Sequence, residues 1–180
     1  NPDESLGDKT WDDYIDEGTI PAINVVKSIT GAKKINAVSW CIGGTLLATT
    51  MAVLVAKRKK PIASATFFTT LLDFSDPGEL GIFIDESQMA SQEQKLKESG
   101  VLPGKKLAST FAMLRANDLV WSYVVNNYLK GKTPPPFDIL YWNSDSTNMT
   151  AAMYTWYLRN MYLENNLVVP GKVELCGVKV

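Results

Sequence analysis

A chain of 180 residues, 46% of them hydrophobic and 21% charged, has the make-up of a globular protein able to bury a core of its own. The net charge of −1 and a pI of about 5.5 exclude an electrostatic case for nucleic-acid binding. The longest apolar run, Leu46 to Ala56, falls well short of the roughly 20 residues that span a bilayer. Two cysteines are too few for a disulfide framework, so a reducing cytoplasm is the expected setting.

Thr10 before Trp11-Asp12-Asp13 reads as a helix N-cap with acidic residues in the first turn. Apolar positions at Trp11, Tyr14, Ile15, Ile23, Val26 and Ile29 predict helix as far as Gly31, which supplies the stop. Gly18 and Pro21 predict a break or kink, with a fresh helix starting at Pro21. Lys34-Ile35-Asn36-Ala37-Val38 predicts a short strand, and an apolar helix follows from Leu46 to Ala56. Between them stands Ser39-Trp40-Cys41-Ile42-Gly43-Gly44-Thr45. The basic run Lys57 to Lys60 falls where the helix ends; there it complements the helix dipole and caps orphan carbonyls. Ile62 to Thr69 predicts a second buried strand. Strand, helix and strand within about 35 residues form a βαβ unit, which requires a parallel sheet.

The rhythm then changes. Asp76-Pro77-Gly78 marks a turn, and helices are predicted near 86–98, 105–114, 118–129 (capped by Asn117) and 151–163. A rigid Pro134-Pro135-Pro136 and a turn-rich stretch divide them. Ten of the eighteen aromatic residues fall between Trp121 and Tyr162, and Lys172 to Cys176 returns to β structure. The expected organisation is a partial α/β-hydrolase fold: core over residues 1–73, a large, mostly helical cap over 74–166, and a return to the core over 167–180.

The chemistry concentrates at Cys41. A thiol on a sharp strand-to-helix turn, flanked by small residues, is how the hydrolase fold presents a nucleophile, and Ser39, Gly43 and Gly44 are small enough for it. The helix N-terminus that follows favours negative charge and offers backbone N–H groups, with Ile42 N–H as one oxyanion donor. A sulfur so placed accepts an acyl group as a thioester. A buried, inert cysteine is the common alternative, and that is the reading given to Cys176, which lies in a short β-like segment with no elbow. Asp73, Asp85 and Asp118 read as caps and turn residues. The chain has no histidine and two distant cysteines, hence no metal-ligand spacing and no expected cofactor, and also no resident base for the thiol.

Several strings together resemble the catalytic domain of polyhydroxyalkanoate synthases of the class I type. They are Asn1-Pro2-Asp3-Glu4-Ser5 through Thr10-Trp11-Asp12-Asp13-Tyr14, Cys41-Ile42-Gly43-Gly44-Thr45, and Thr69-Thr70-Leu71-Leu72-Asp73-Phe74. The cap adds Asn117-Asp118-Leu119-Val120-Trp121, Asn126-Asn127-Tyr128-Leu129-Lys130-Gly131, Pro136-Phe137-Asp138-Ile139-Leu140-Tyr141-Trp142-Asn143 and Trp156-Tyr157-Leu158-Arg159. Pro170-Gly171-Lys172 and Cys176-Gly177-Val178 complete the set, so the resemblance covers essentially the whole chain. Ser39 stands where that family usually has Gly, and Pro21 where it usually has a helix former.

The resemblance implies a transferase that polymerises (R)-3-hydroxyacyl-CoA into polyester, releasing CoA, with Cys41 carrying the growing chain. It implies a homodimer formed through the cap and a cytoplasmic enzyme associated with polyester granules. The family's catalytic Asp and His lie beyond the stretch matched here, so the resemblance further implies an internal fragment, inactive in isolation. Two other readings stay open. A cysteine hydrolase resembling dienelactone hydrolase shares the Cys elbow but has no large helical cap. A non-catalytic lipid- or granule-associating domain would keep the fold without turnover.

Overall fold

The computed structural model describes residues 1–134, 136 and 138–180; Pro135 of the proline run and Phe137 of the Pro136 to Asn143 string lie outside the described residues. The chain is helical over residues 11–30. Thr10 and Asp13 close a reciprocal capping box at its start, and Gly31 ends it in the left-handed conformation at φ 68°. Of the predicted break or kink with a fresh start at Pro21, the chain shows the fresh start, one residue earlier, and no break. Residues Tyr14–Thr19 form a π-helical turn, and an α-helix resumes at Ile20–Thr30 with Pro21 in its first turn. A helix start is the one place where proline's missing N–H costs nothing, so Pro21 is accommodated without leaving the helix.

Strand β1 (Ile35–Trp40) runs two residues beyond the predicted end, straight into a helix over Cys41–Ala56, and strand β2 (Ile62–Phe68) follows. β1 and β2 pair in parallel, with Ser39 opposite Phe67 and Trp40 opposite Phe68, as the βαβ reading requires. The connecting helix is apolar nearly all round and correspondingly buried. Two of its threonines are satisfied locally: the Thr49 hydroxyl donates to the Thr45 carbonyl (2.9 Å) and that of Thr50 to the Leu46 carbonyl (2.7 Å).

The region after β2 is mainly helical. Helices occupy Glu86–Ser99 (capped by the Asp85 side chain), Gly104–Leu114, π-rich turns at Asn117–Trp121 and Val124–Leu129, and Leu140–Ser144. Asn117 makes no side-chain cap, because helical conformation already begins before it. The turn-rich reading after the prolines missed the short helix at Leu140–Ser144. A last helical run joins Ala151–Tyr157 to a π turn at Leu158–Leu163. Strands β3 (Val101–Leu102) and β4 (Met149–Thr150) form a small antiparallel pair. The predicted β return shrinks to a hairpin of β5 (Glu174–Leu175) and β6 (Val178–Lys179), which pairs with itself and not with β1–β2.

One aromatic-rich core joins these parts. Trp11 stacks on Tyr157 (5.2 Å) and Trp156 (5.4 Å), its indole N–H donates to Thr49 Oγ1 (3.1 Å), and Phe74 meets Tyr157 and Tyr162 edge-on. Ile15, Val53, Met89, Met153, Leu158, Met161, Val173 and Leu175 fill the remainder. Arg159 ties Glu86–Ser99 to this core through Glu93 (2.9 Å) and Glu86 (3.2 Å). The aromatics of the outer helices behave differently: Trp121, Tyr128, Tyr141 and Trp142 are exposed. Among the described residues, no helix is long and apolar enough to cross a membrane.

Candidate active site

Trp40 is the last extended residue of β1, at φ −128° and ψ 145°. The next residue, Cys41, turns to φ 47°, in the left-handed region that side-chain-bearing residues rarely occupy, and opens the helix. Such a conformation costs about 1–3 kcal/mol and survives only where its surroundings enforce it. Cys41 is exposed, at the carboxyl end of the parallel pair, with the unpaired N–H groups of the first helical turn beside it. Ile42 lies within that turn, immediately after the sulfur-bearing residue, and packs half-buried against the core.

The small residues of the motif play unequal parts. A Cβ on Gly44 would meet Thr70 Oγ1 at 2.0 Å, so the loop after β2 touches the helix backbone there and no side chain fits. A Cβ on Gly43 would meet nothing within 4 Å. Ser39 is buried, and its hydroxyl donates to the Thr66 carbonyl at 3.5 Å across the strand pair. Serine is therefore accommodated here, buried and within reach of a backbone acceptor on the neighbouring strand.

Thr69 is the residue that sequence reasoning missed. It follows the last residue of β2, adopts φ 47° like Cys41, and holds Oγ1 at 3.3 Å from Cys41 Sγ. The signal was present in principle. In a parallel βαβ unit the residue after the second strand sits beside the residue after the first, and ligand chemistry gathers at those carboxyl ends. Behind the elbow, Thr45 Oγ1 donates to the Leu71 carbonyl at 2.8 Å and anchors the same loop. Burial is the main reason the Tyr157 and Tyr162 phenols titrate above the usual tyrosine range; a smaller push in that direction comes from the nearby Cys41 sulfur. Both phenols therefore stay protonated at neutral pH.

Cys176 follows β5, half-buried and away from the elbow. Its backbone N–H donates to Asp12 Oδ2 (2.9 Å), and burial, followed by the charges of Asp12 and Asp16, pushes its thiol up to about 12. Asp73 caps a turn, accepting from Ser75 N and Asn165 Nδ2; those hydrogen bonds hold its carboxyl below the ordinary aspartate value. Asp118 pairs with Arg115. None of these carboxylates is hydrogen-bonded to Cys41. Among the described residues, no three Cys, Asp or Glu side chains form a candidate metal cluster.

A strand leading into a strained nucleophile-type residue at a helix N-terminus, in a parallel βαβ setting, defines an α/β-hydrolase architecture. The sequence profile described as "alpha/beta hydrolase fold" matches residues 1–173, and the chain belongs to that family. Along its whole length it is similar to poly(3-hydroxyalkanoate) polymerases. It is 51% identical to the polymerase subunit PhaC of Cupriavidus necator, over all of this chain and 31% of that protein. It is 48% identical to the PhaC subunit of Rhizobium meliloti, over all of this chain and 29% of the relative. Against poly(3-hydroxyalkanoate) polymerase 2 of Ectopseudomonas oleovorans the figure is 38%, over all of this chain and 32% of the relative. The chain thus spans just under a third of the length of these curated relatives.

Proposed function

We propose that this chain supplies the acyl-carrying elbow of a poly(3-hydroxyalkanoate) polymerase. The observation that carries the reading is Cys41: exposed, at φ 47°, between a parallel strand and a helix N-terminus, in a chain about half identical to such polymerases. In the proposed step Cys41 Sγ attacks the thioester carbonyl of an (R)-3-hydroxyacyl-CoA. The Ile42 N–H holds the developing oxyanion, the carbon–sulfur bond to CoA breaks, and an acyl thioester on Cys41 remains while free CoA departs. The hydroxyl of Thr69, 3.3 Å from the sulfur, is within hydrogen-bonding reach of it and keeps it aimed. The thiol proton goes to a histidine in the part of the polymerase outside this chain, since these 180 residues hold none. The 3-hydroxyl of a further (R)-3-hydroxyacyl-CoA then attacks the thioester on Cys41 and displaces its sulfur, and the lengthened chain returns to Cys41 with loss of CoA, so that Cys41 carries the growing chain. The exposed aromatics of the outer helices form the contact with a second copy, and the assembled enzyme works in the cytoplasm at the polyester granule.

The test is product analysis on the full-length protein supplied with (R)-3-hydroxybutyryl-CoA. The expected products are free CoA and polyester in step. Free 3-hydroxybutyrate in place of polymer would assign a dienelactone-hydrolase-like thioesterase instead, and absence of CoA release would assign a non-catalytic domain. The isolated 180 residues are expected to show no turnover.

A further inference from the structure

The opposite end of the β1–β2 pair has its own chemistry. From Gly18 to Leu72 the chain contains not one Asp or Glu, yet it carries Lys27, the pair Lys33-Lys34 and the run Lys57 to Lys60. The fold gathers all of these at one edge. Lys27 lies in the last turn of Ile20–Thr30, Lys33 and Lys34 precede the first residue of β1, and the run separates the elbow helix from the start of β2. Six residues of strand, about 20 Å at 3.3 Å each, separate this edge from Cys41.

Four of the lysines, Lys27, Lys33, Lys59 and Lys60, converge on a recess of about 290 Å³ with the Asn24 amide on its wall and buried Ile23 and Leu54 in its floor. Helix termination does not use these side chains. The last carbonyls of the elbow helix are taken by backbone: Lys57 N–H donates to Val53, Arg58 N–H to Val55 and Lys59 N–H to Leu54, while Gly31 N–H takes the Lys27 carbonyl. The two helix C-termini together present only about one negative charge. Against that stand four ammonium groups, none in an ion pair with any described residue. The recess therefore carries roughly three positive charges beyond the helix termini that no ion pair among the described residues neutralises.

We propose that this recess is a binding site for a phosphate-bearing ligand, a diphosphate or a phosphate ester with an aliphatic arm, independent of the reading of Cys41. Lysines act as strong point charges suited to compact, multiply charged anions, whereas planar carboxylate recognition draws on arginine, and none lines the recess. No aromatic ring lines it to stack a nucleobase, and the aliphatic floor suits a short alkyl arm. Its volume sits at the small end of ligand sites, enough for a headgroup-sized molecule.

The test is calorimetric titration of the full-length protein with inorganic diphosphate at low ionic strength, where screening over about 10 Å is relaxed. Saturable one-to-one binding is expected, at least tenfold weaker when Lys33→Gln and Lys59→Gln are combined. Both side chains are exposed, so the fold should be unaffected. Lys105→Gln with Lys106→Gln, outside the recess, should leave the affinity unchanged. Co-sedimentation with vesicles of phosphatidylglycerol against phosphatidylcholine separates the sources. Phosphatidylglycerol binding that the recess variant loses places the phosphate on a lipid; diphosphate binding without vesicle binding places it on a soluble ester. Absence of both, or equal weakening by the two double variants, overturns the site.

Discussion

The two ends of the β1–β2 pair both contain residues at positive φ, and they use it for different purposes. At the amino end, Gly31 (φ 68°) and Arg58 (φ 58°) terminate helices. Around Arg58 the Arg58 N–H to Val55 and Lys59 N–H to Leu54 bonds form a Schellman closure, so the left-handed residue completes the backbone bonding of its helix. At the carboxyl end, Cys41 and Thr69 (both φ 47°) follow strands, and Cys41 begins a helix, where no cap calls for a left-handed residue. The same dihedral is a routine stop at one end and stored strain at the other. What distinguishes them is where the freed groups point: at the carboxyl end a sulfur and a hydroxyl face each other at 3.3 Å. Backbone strain is informative about function only when local hydrogen bonding does not already account for it.

The largest effect that this contrast predicts is at Cys41. In the full-length protein Cys41→Ala should reduce CoA release by about 10⁴-fold or more while the protein melts as before. Retained turnover would remove Cys41 from the chemistry. Cys176 provides an internal comparison: with its thiol raised to about 12 it stays protonated at pH 8, so an alkylating reagent at that pH should label Cys41 and leave Cys176 untouched. Equal labelling of both would mean that burial and the Asp12 and Asp16 charges do not hold the Cys176 thiol protonated.

Gly44→Ala should follow in size. The new methyl must displace the Thr70 side chain, carrying the adjacent Thr69 with it, and a shift of about 1 Å at a reacting group is worth on the order of 10² in rate. Gly43→Ala, with open space around its Cβ, should leave turnover near normal. If the two alanines behaved alike, contact between the elbow and the loop after β2 would not be what limits the motif. Thr69→Val is expected to cost less, roughly tenfold, since it removes one hydrogen bond worth about 1 kcal/mol. Thr69→Ser should recover most of the rate. A bulk effect without rescue by serine would mean that Thr69 only fills space.

The elements legible in the sequence were those whose signals are local. The capping box at Thr10 and Asp13, the stop at Gly31, and the strand–Cys–helix order each depend on residues within a few positions of one another. What stayed hidden depends on register or on tertiary packing. Thr69 reaches Cys41 only because β1 and β2 pair with Trp40 opposite Phe68, and no spacing rule fixes that register. The aromatics between Trp121 and Tyr162 look alike in sequence, yet Trp156, Tyr157 and Tyr162 enter the core while Tyr141 and Trp142 face outward. Pro21 was read as a breaker because the π turn before it, which lets the α-helix restart at Ile20, leaves no compositional mark.

The smallest effect is the most discriminating. Glycine pays no steric penalty at φ near 50–60°, so Arg58→Gly and Cys41→Gly should each raise stability by about 1 kcal/mol, part of the strain relief being offset by glycine's greater freedom in the unfolded chain. The two gains should be nearly equal, because the dihedrals are nearly equal. Turnover should separate them completely: untouched in Arg58→Gly, abolished in Cys41→Gly. Parallel thermal melts and CoA-release assays on the two full-length variants read both quantities. A stability gain at Arg58 but none at Cys41 would mean that the surroundings of the elbow do not merely tolerate its left-handed turn but stabilise it through the side chain, with the Thr69 contact as the source. Strain would then be the wrong description of the elbow, and the sulfur–hydroxyl contact would be part of what holds the fold.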